Sequence, residues 1–134
     1  MIYADAGIIM RWVEGTSQVR DPIERRWRQL SPADRMFVTS RISRLECRCK
    51  PLRNRQERLL RQYEIFFSGQ EVDIREIDAA VVEKATELRS SCGLKTPDAI
   101  HAATAMLIGV ESFWTTDADF SKCPGLAVEI FKAV

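Results

Sequence analysis

Four carboxylates occupy positions that the surrounding composition does not explain. Asp5 ends the apolar run "MIYAD", and Glu46 lies inside the helical stretch "SRISRLECRC". Asp98 opens "LKTPDAIHAATAML", which is otherwise apolar, and Asp117 follows "FWTT", with Asp119 two residues on. Acids brought together in this way repel one another and raise their own pKa values. Such a group is stable mainly around a hard divalent cation. Mg2+ and Mn2+ take oxygen donors, and Mg2+ prefers octahedral geometry and keeps several waters. The chemistry that suits such a site is phosphodiester hydrolysis, in which the cation polarises a phosphoryl oxygen, activates water and stabilises the leaving oxygen.

Each acid also has a plainer reading. Thr96 reads as an N-cap and Pro97 as the first helical residue, so Asp98 meets the positive end of a helix dipole. On a helical wheel Arg41, Arg44 and Arg48 share one side, while Ile42, Leu45 and Cys49 form an apolar stripe. Glu46 borders that stripe, nearly opposite the arginines. An acid turned inward needs a partner: a buried arginine, backbone donors or a metal. These local signals leave both readings open.

Other chemistries fit less well. His101 is the only histidine, which excludes a metal-free ribonuclease that works with two. On an alanine-rich helix it reads as a packed or hydrogen-bonded core residue. Of the four cysteines, Cys47 and Cys49 point about 160° apart on a helix and do not readily share an ion; reduced thiols are expected. There is no nucleophile elbow for a Cys–His protease, and no glycine-rich phosphate loop. A phosphorylation-controlled receiver module would need an acid pair after the first strand, an aspartate ending the third and a lysine ending the fifth; Asp5 has no adjacent acid and the third run ends in "REID", so the fit is poor.

The elements that must position the acids alternate. Short β-like runs ("MIYAD", "MFVTS", "QEVDIREI", "VESFWTT" and "LAVEIFK") are separated by helical ones. "DPIERRWRQL" begins at Asp21 with Pro22 behind it, and "SRISRLECRC" has Ser40 as N-cap. "RNRQERLLRQYEIFF" ends at Gly69, "DAAVVEKATELRSS" starts at Asp78 and closes near Gly93, and the Asp98 helix ends near Gly109. This pattern predicts an α/β domain with a mainly parallel sheet of about five strands, residues 1–134 forming one domain. In such a sheet the ligand site lies beyond the carboxyl ends of the strands, where strand order reverses. Asp5 and Asp117 fall at strand ends.

The net charge of +1 hides an asymmetry. Residues 20–61 hold thirteen basic and five acidic residues, and residues 62–134 hold six and twelve. A basic segment beside an acidic remainder suits a protein that attracts a polyanion at one surface. No apolar run approaches the roughly 20 residues of a membrane span, and the N-terminus lacks the basic start of a signal peptide. A soluble cytoplasmic protein with no membrane partner is expected.

"IYADAGIIMRWVEG", the glutamate of "SRLECRC", "LKTPDAIHAATA" and "FWTTDADF" together resemble the four acidic blocks of PIN-domain nucleases, in particular the toxin subunit of VapBC-type toxin–antitoxin pairs. The resemblance spans nearly the whole chain, and its last two blocks are the most specific. It implies a Rossmann-like three-layer α/β/α sandwich. It also implies an Mg2+- or Mn2+-dependent endoribonuclease acting on a structured RNA such as tRNA or rRNA. Asp5, Glu46, Asp98 and Asp117 would be its catalytic metal ligands, and Asp119 would match a second, less constant acid. A cognate antitoxin and a homodimer are the partners it implies. Arg41, Arg44, Arg48 and Lys50 are the candidates for steering RNA through its phosphates. One position departs from the pattern. The second residue after the first aspartate is often Asn or Ser in the family, and here it is Gly7, which removes a side-chain hydrogen bond. Thr115 and Thr116 offer polar support for the fourth acid. The alternative is a PIN-like binding module without catalysis.

Overall fold

In the computed structural model, which describes residues 1–132, five strands form one sheet: β1 (Ile2–Ala4), β2 (Phe37–Ser40), β3 (Val72–Arg75), β4 (Ser112–Thr115) and β5 (Val128–Ile130). All pairings are parallel, in the order β3-β2-β1-β4-β5. Residues 133 and 134 of the expected domain lie outside the described residues. The helices are α1 (Ala6–Glu14), α2 (Ser17–Gln29), α3 (Ile42–Arg53), α4 (Glu57–Phe67), α5 (Ala79–Cys92) and α6 (Thr96–Ile108). Strands this short read as apolar runs because both sheet faces are covered.

Alternation along each central strand divides the core in two. Ile2, Ala4, Phe37 and Trp114 point to one face and pack with Ile8, Ile9, Ile23, Trp27, Cys47 and Tyr63 from α1–α4. Tyr3, Val38 and Phe113 point to the other and pack against α5 and α6. The result is the expected three-layer α/β/α sandwich. Strand order reverses at β1, between the branch leading to β2 and β3 and the branch leading to β4 and β5. The crevice outside the carboxyl ends of β1 and β4 is therefore the switch point.

Several helix boundaries match their local signals. The Asp78 carboxylate accepts the amide of Val81 at 3.0 Å and caps α5. Gly93 and Gly109 close α5 and α6 at φ of 70° and 76°, the left-handed conformation that glycine adopts without penalty. Others differ. α2 begins at Ser17 and carries Pro22 in its interior, with Ile23 and Trp27 as its buried residues. α3 runs on to Arg53, and the break before α4 falls at Arg55, which has a φ of 55°. The caps of α3 and α6 are Arg41 and Lys95 rather than Ser40 and Thr96. The Ser40 hydroxyl still accepts the amide of Ile42 at 3.2 Å.

The packed face of α3 also differs from the expected stripe. Ser43, Cys47 and Pro51 are the buried residues, whereas Leu45 is 65% exposed. Ile42, Leu45 and Cys49 instead line an outer groove of about 770 Å³ with Arg41, Arg44 and Arg48. At 100° per residue the expected stripe lies nearly opposite the true core face, about 170° round the wheel, and Glu46 falls between the two, next to Cys47.

Phe37 sits at the centre of the aromatic packing between sheet and helices. Its ring stacks on Trp27 at 4.2 Å and meets Trp12 and Trp114 edge-on at 5.2 and 5.8 Å. Phe37→Ala is expected to lower stability by about 3–5 kcal/mol in urea unfolding. A loss below about 1 kcal/mol would show that the site collapses around the missing ring.

Candidate active site

The carboxylate of Asp5, 7% exposed, is the most fixed of the acids. It stands one residue beyond β1 and caps α1, accepting the amide of Ile8 on Oδ1 at 3.0 Å. Its Oδ2 accepts the hydroxyl of Thr115, from the end of β4, at 2.5 Å. That same hydroxyl accepts the amide of Asp117 at 3.0 Å. Thr115 thus supports the first acid directly and the backbone of the fourth, where sequence suggested only the latter.

Glu46 projects inward from α3, and its partner is neither an arginine nor the backbone. Its Oε1 lies 2.7 Å from Nε2 of His101, in the second turn of α6. The other ring nitrogen, Nδ1, lies 2.6 Å from the hydroxyl of Tyr3, which itself accepts the amide of Ser40 at 3.0 Å. Sequence placed His101 correctly as a hydrogen-bonded core residue but missed that its bond is to a candidate ligand. Tyr3 carried one usable signal. Strand alternation turns it toward α6, opposite to Ile2 and Ala4.

Asp98 lies in the first turn of α6 and is half-buried. Asp117 is exposed and caps the short 3₁₀ turn after β4, accepting the amide of Asp119 at 2.9 Å. Asp119 points to Lys122, whose Nζ is 3.4 Å away.

The acids feel one another. Burial pushes the Asp98 carboxyl above its usual range; a positive charge on His101 would oppose the rise, and the charges of Asp117, Glu46 and Asp5 add to it. Burial likewise raises Asp5, and Glu46 adds to it. The donors from Thr115 and Ile8 oppose that rise, as would a positive charge on His101. Asp5, Glu46, Asp98 and Asp117 therefore form one electrostatic group drawn from four elements. The side chains do not enclose an ion as they stand. Among the described residues, no three His, Cys, Asp or Glu side chains are disposed to hold one. The donors are all oxygen, which suits Mg2+ or Mn2+, and Mg2+ binds through one or two carboxylates with water completing its sphere.

The basic residues separate into two places. Arg41 pairs with Glu76 at 2.7 Å, and Arg44 and Arg48 with Glu64 at 2.5 and 3.2 Å, all on the rim of the outer groove. Exposed pairs of this kind contribute about 0–1 kcal/mol and yield readily to a competing anion. Lys50 instead lines a cleft with Glu46, Glu14 and Arg11. Arg11 is a basic residue that the sequence reading did not single out.

The PIN domain family matches residues 2–126. Comparison with curated protein sequences gives no match. Among solved structures, the chain is similar to a toxin–antitoxin complex from Klebsiella pneumoniae, with 21% identity, all of both chains covered and a TM-score of 0.77. It is similar to VapBC2 from Rickettsia felis bound to a promoter DNA fragment, with 18% identity, 98% of this chain and 100% of that one covered, and a TM-score of 0.76. It also resembles the sarcin–ricin loop cleaving toxin VapC20 of Mycobacterium tuberculosis, with 18% identity, 90% and 93% covered, and a TM-score of 0.74.

Raised carboxyl pKa values have a stability consequence with a definite sign. Between the unfolded and folded values of Asp98 the native state binds more protons than the unfolded chain. Its contribution to stability therefore falls as pH rises through that window and stays low above it. In EDTA, Asp98→Asn is expected to gain stability relative to the parent as pH rises from about 4 toward 7. Asp5→Asn is expected to behave likewise, since Asn caps a helix as well as Asp. Urea unfolding at several pH values measures both differences. A difference that shrinks with rising pH would contradict the raised carboxyl pKa values described above.

Proposed function

This chain belongs to the PIN-domain family, and we propose that it is a divalent-metal-dependent endoribonuclease, a toxin held in check by a cognate antitoxin. The observation that carries this reading is the group of four acids, Asp5, Glu46, Asp98 and Asp117, gathered from separate elements at the sheet's switch point. Burial, with the neighbouring carboxylates adding to it, disfavours the charged forms of Asp5 and Asp98, and a cation there would relieve that cost. VapC20, whose fold this chain shares, cleaves the sarcin–ricin loop. An RNA substrate of that structured kind is the proposal for this chain.

Each residue then has a role. Asp5, gripped by Thr115 and the α1 amide, is the fixed ligand. Glu46 and Asp98 approach from α3 and α6, and Asp117 closes the set from the β4 side. When bound, Mg2+ or Mn2+ supplies Lewis acidity for in-line hydrolysis at phosphorus. Lys50 and Arg11, which line one cleft with Glu46, would hold flanking phosphates, Arg11 also donating to the carbonyl of Phe131, and Arg41, Arg44 and Arg48 would form a further basic rim. Asp119, engaged by Lys122, is an auxiliary acid at most. The outer groove, with Leu45, Leu52 and Ile77 exposed among arginines, suits an apolar, acidic segment such as an antitoxin could supply. A homodimer is part of the same proposal.

Purified protein with Mg2+ or Mn2+ is expected to cut RNA, leaving 5′-phosphate ends, and EDTA is expected to stop it. Asp98→Asn should reduce the rate by at least about 100-fold, the upper end of what losing a mere outer partner of a metal site costs. Unchanged cleavage by that variant, or 2′,3′-cyclic phosphate ends, would overturn the mechanism. Mn2+ at about 100 times its dissociation constant should add roughly 2.7 kcal/mol to stability. Neither cleavage nor such stabilisation would leave a PIN-like binding module as the better reading.

A further inference from the structure

The Tyr3–His101–Glu46 chain crosses the molecule from β1 through α6 to α3, and nothing in the proposed chemistry requires it. Tyr3 and His101 are 0% and 1% exposed. Their rings meet edge-on, with centroids 5.7 Å apart. A buried imidazole needs partners for both nitrogens, and here both are supplied.

The partners also fix where the hydrogens lie. The Tyr3 oxygen accepts the Ser40 amide, which cannot be reversed, because a backbone N–H only donates. The hydroxyl of Thr39 donates to the carbonyl of Ala4 at 2.7 Å and lies 2.6 Å from Ser43 Oγ, whereas the short side-chain contact of the Tyr3 oxygen, at 2.6 Å, is with His101 Nδ1. This geometry favours His101 Nδ1 as the acceptor for the Tyr3 hydroxyl hydrogen. With Nδ1 accepting, Nε2 carries the ring hydrogen and donates it to Glu46.

We propose that His101 is a positioning residue for the candidate ligand Glu46: held by Tyr3 as the neutral Nε2–H tautomer, it fixes one carboxylate oxygen and leaves the other to face the site. This rests on the metal-site reading given above. The chemical logic is that of an outer partner orienting a ligand. Glu46 sits on a long side chain from a helix of a different layer, and without such a tether it would sample several rotamers. A neutral imidazole performs this task without adding a positive charge among the four acids, so their field is kept for a cation. An arginine or lysine in the same place would cancel part of it.

Because His101 is the only histidine, nitrogen-15 NMR of the untagged, metal-free protein at neutral pH reads its tautomer without assignment ambiguity. A protonated Nε2 and a bare Nδ1 are expected. Hydrogen on Nδ1 alone, or on both nitrogens, would overturn the proposal. Calorimetric titration with Mn2+ then reads the consequence. His101→Leu is expected to weaken Mn2+ binding by about 10- to 100-fold. His101→Gln, whose amide can donate from nearly the Nε2 position, should recover most of that loss. Tyr3→Phe should give a mixture of tautomers and a smaller loss. Thermal melting of each variant reports whether it is folded. Parent-like affinity in folded His101→Leu, or a folded Tyr3→Phe with tautomer and affinity both unchanged, would overturn the proposal. If His101→Leu fails to fold, the Gln and Phe variants decide. If the parent binds no Mn2+ at all, it is the metal-site reading that fails, and the NMR pattern alone still decides whether Tyr3 and His101 hold Glu46.

Discussion

Asp5 is where three elements meet. Its carboxylate closes the first turn of α1, receives a hydroxyl from β4, and stands at the end of β1. The pairing of Ala4 with Trp114 brings those two strand ends together, so the position of the site follows from the sheet's central register. An Asn or Ser would cap α1 equally well. A buried carboxylate carries a desolvation penalty of several kcal/mol that two hydrogen bonds only partly offset. The less stable choice at a position where a neutral one would serve is the kind of local conflict that folded proteins keep for a ligand.

The remaining acids are held less tightly. Glu46 is anchored through one oxygen, Asp98 has only the first turn of α6 around it, and Asp117 sits on an exposed 3₁₀ turn. This gradient runs from the sheet outward. A rigid first ligand with adjustable companions also suits Mg2+, which fills most of its sphere with water.

Much of this was legible in the sequence, and the misses have physical causes. The strands, the parallel sheet and the caps at Asp78, Gly93 and Gly109 follow from short-range signals. The start of α2 did not, because Asp21 with Pro22 behind it reads as a helix start, whereas the helix begins at Ser17 and takes Pro22 into its interior. Glu46 was read as inward next to the wrong stripe. Ile42, Leu45 and Cys49 are as regularly spaced as a core face, but the sheet takes Ser43, Cys47 and Pro51, and no periodicity separates a groove from a core. His101 was placed in the core by its neighbours, yet its two partners come from residues 3 and 46. Contacts of that sequence separation exist only once the sheet and both layers are assembled.

Gly7 shows how one departure is absorbed. A β-carbon there would stand 2.9 Å from the Thr116 hydroxyl oxygen and 3.5 Å from Asp5 Oδ1. The space a family Ser or Asn would use is thus already taken from the β4 side. Thr115 and Thr116 bring hydroxyls to the place where α1 brings none, and Thr115 bonds both Asp5 and the amide of Asp117. Polar support has moved from the helix after β1 to the strand beside it. The move has a geometric effect that a side chain at position 7 could not have. One hydroxyl sets the spacing between the first acid and the backbone of the fourth, so the two ends of the proposed ligand set are fixed relative to each other by the same β1–β4 pairing that creates the crevice.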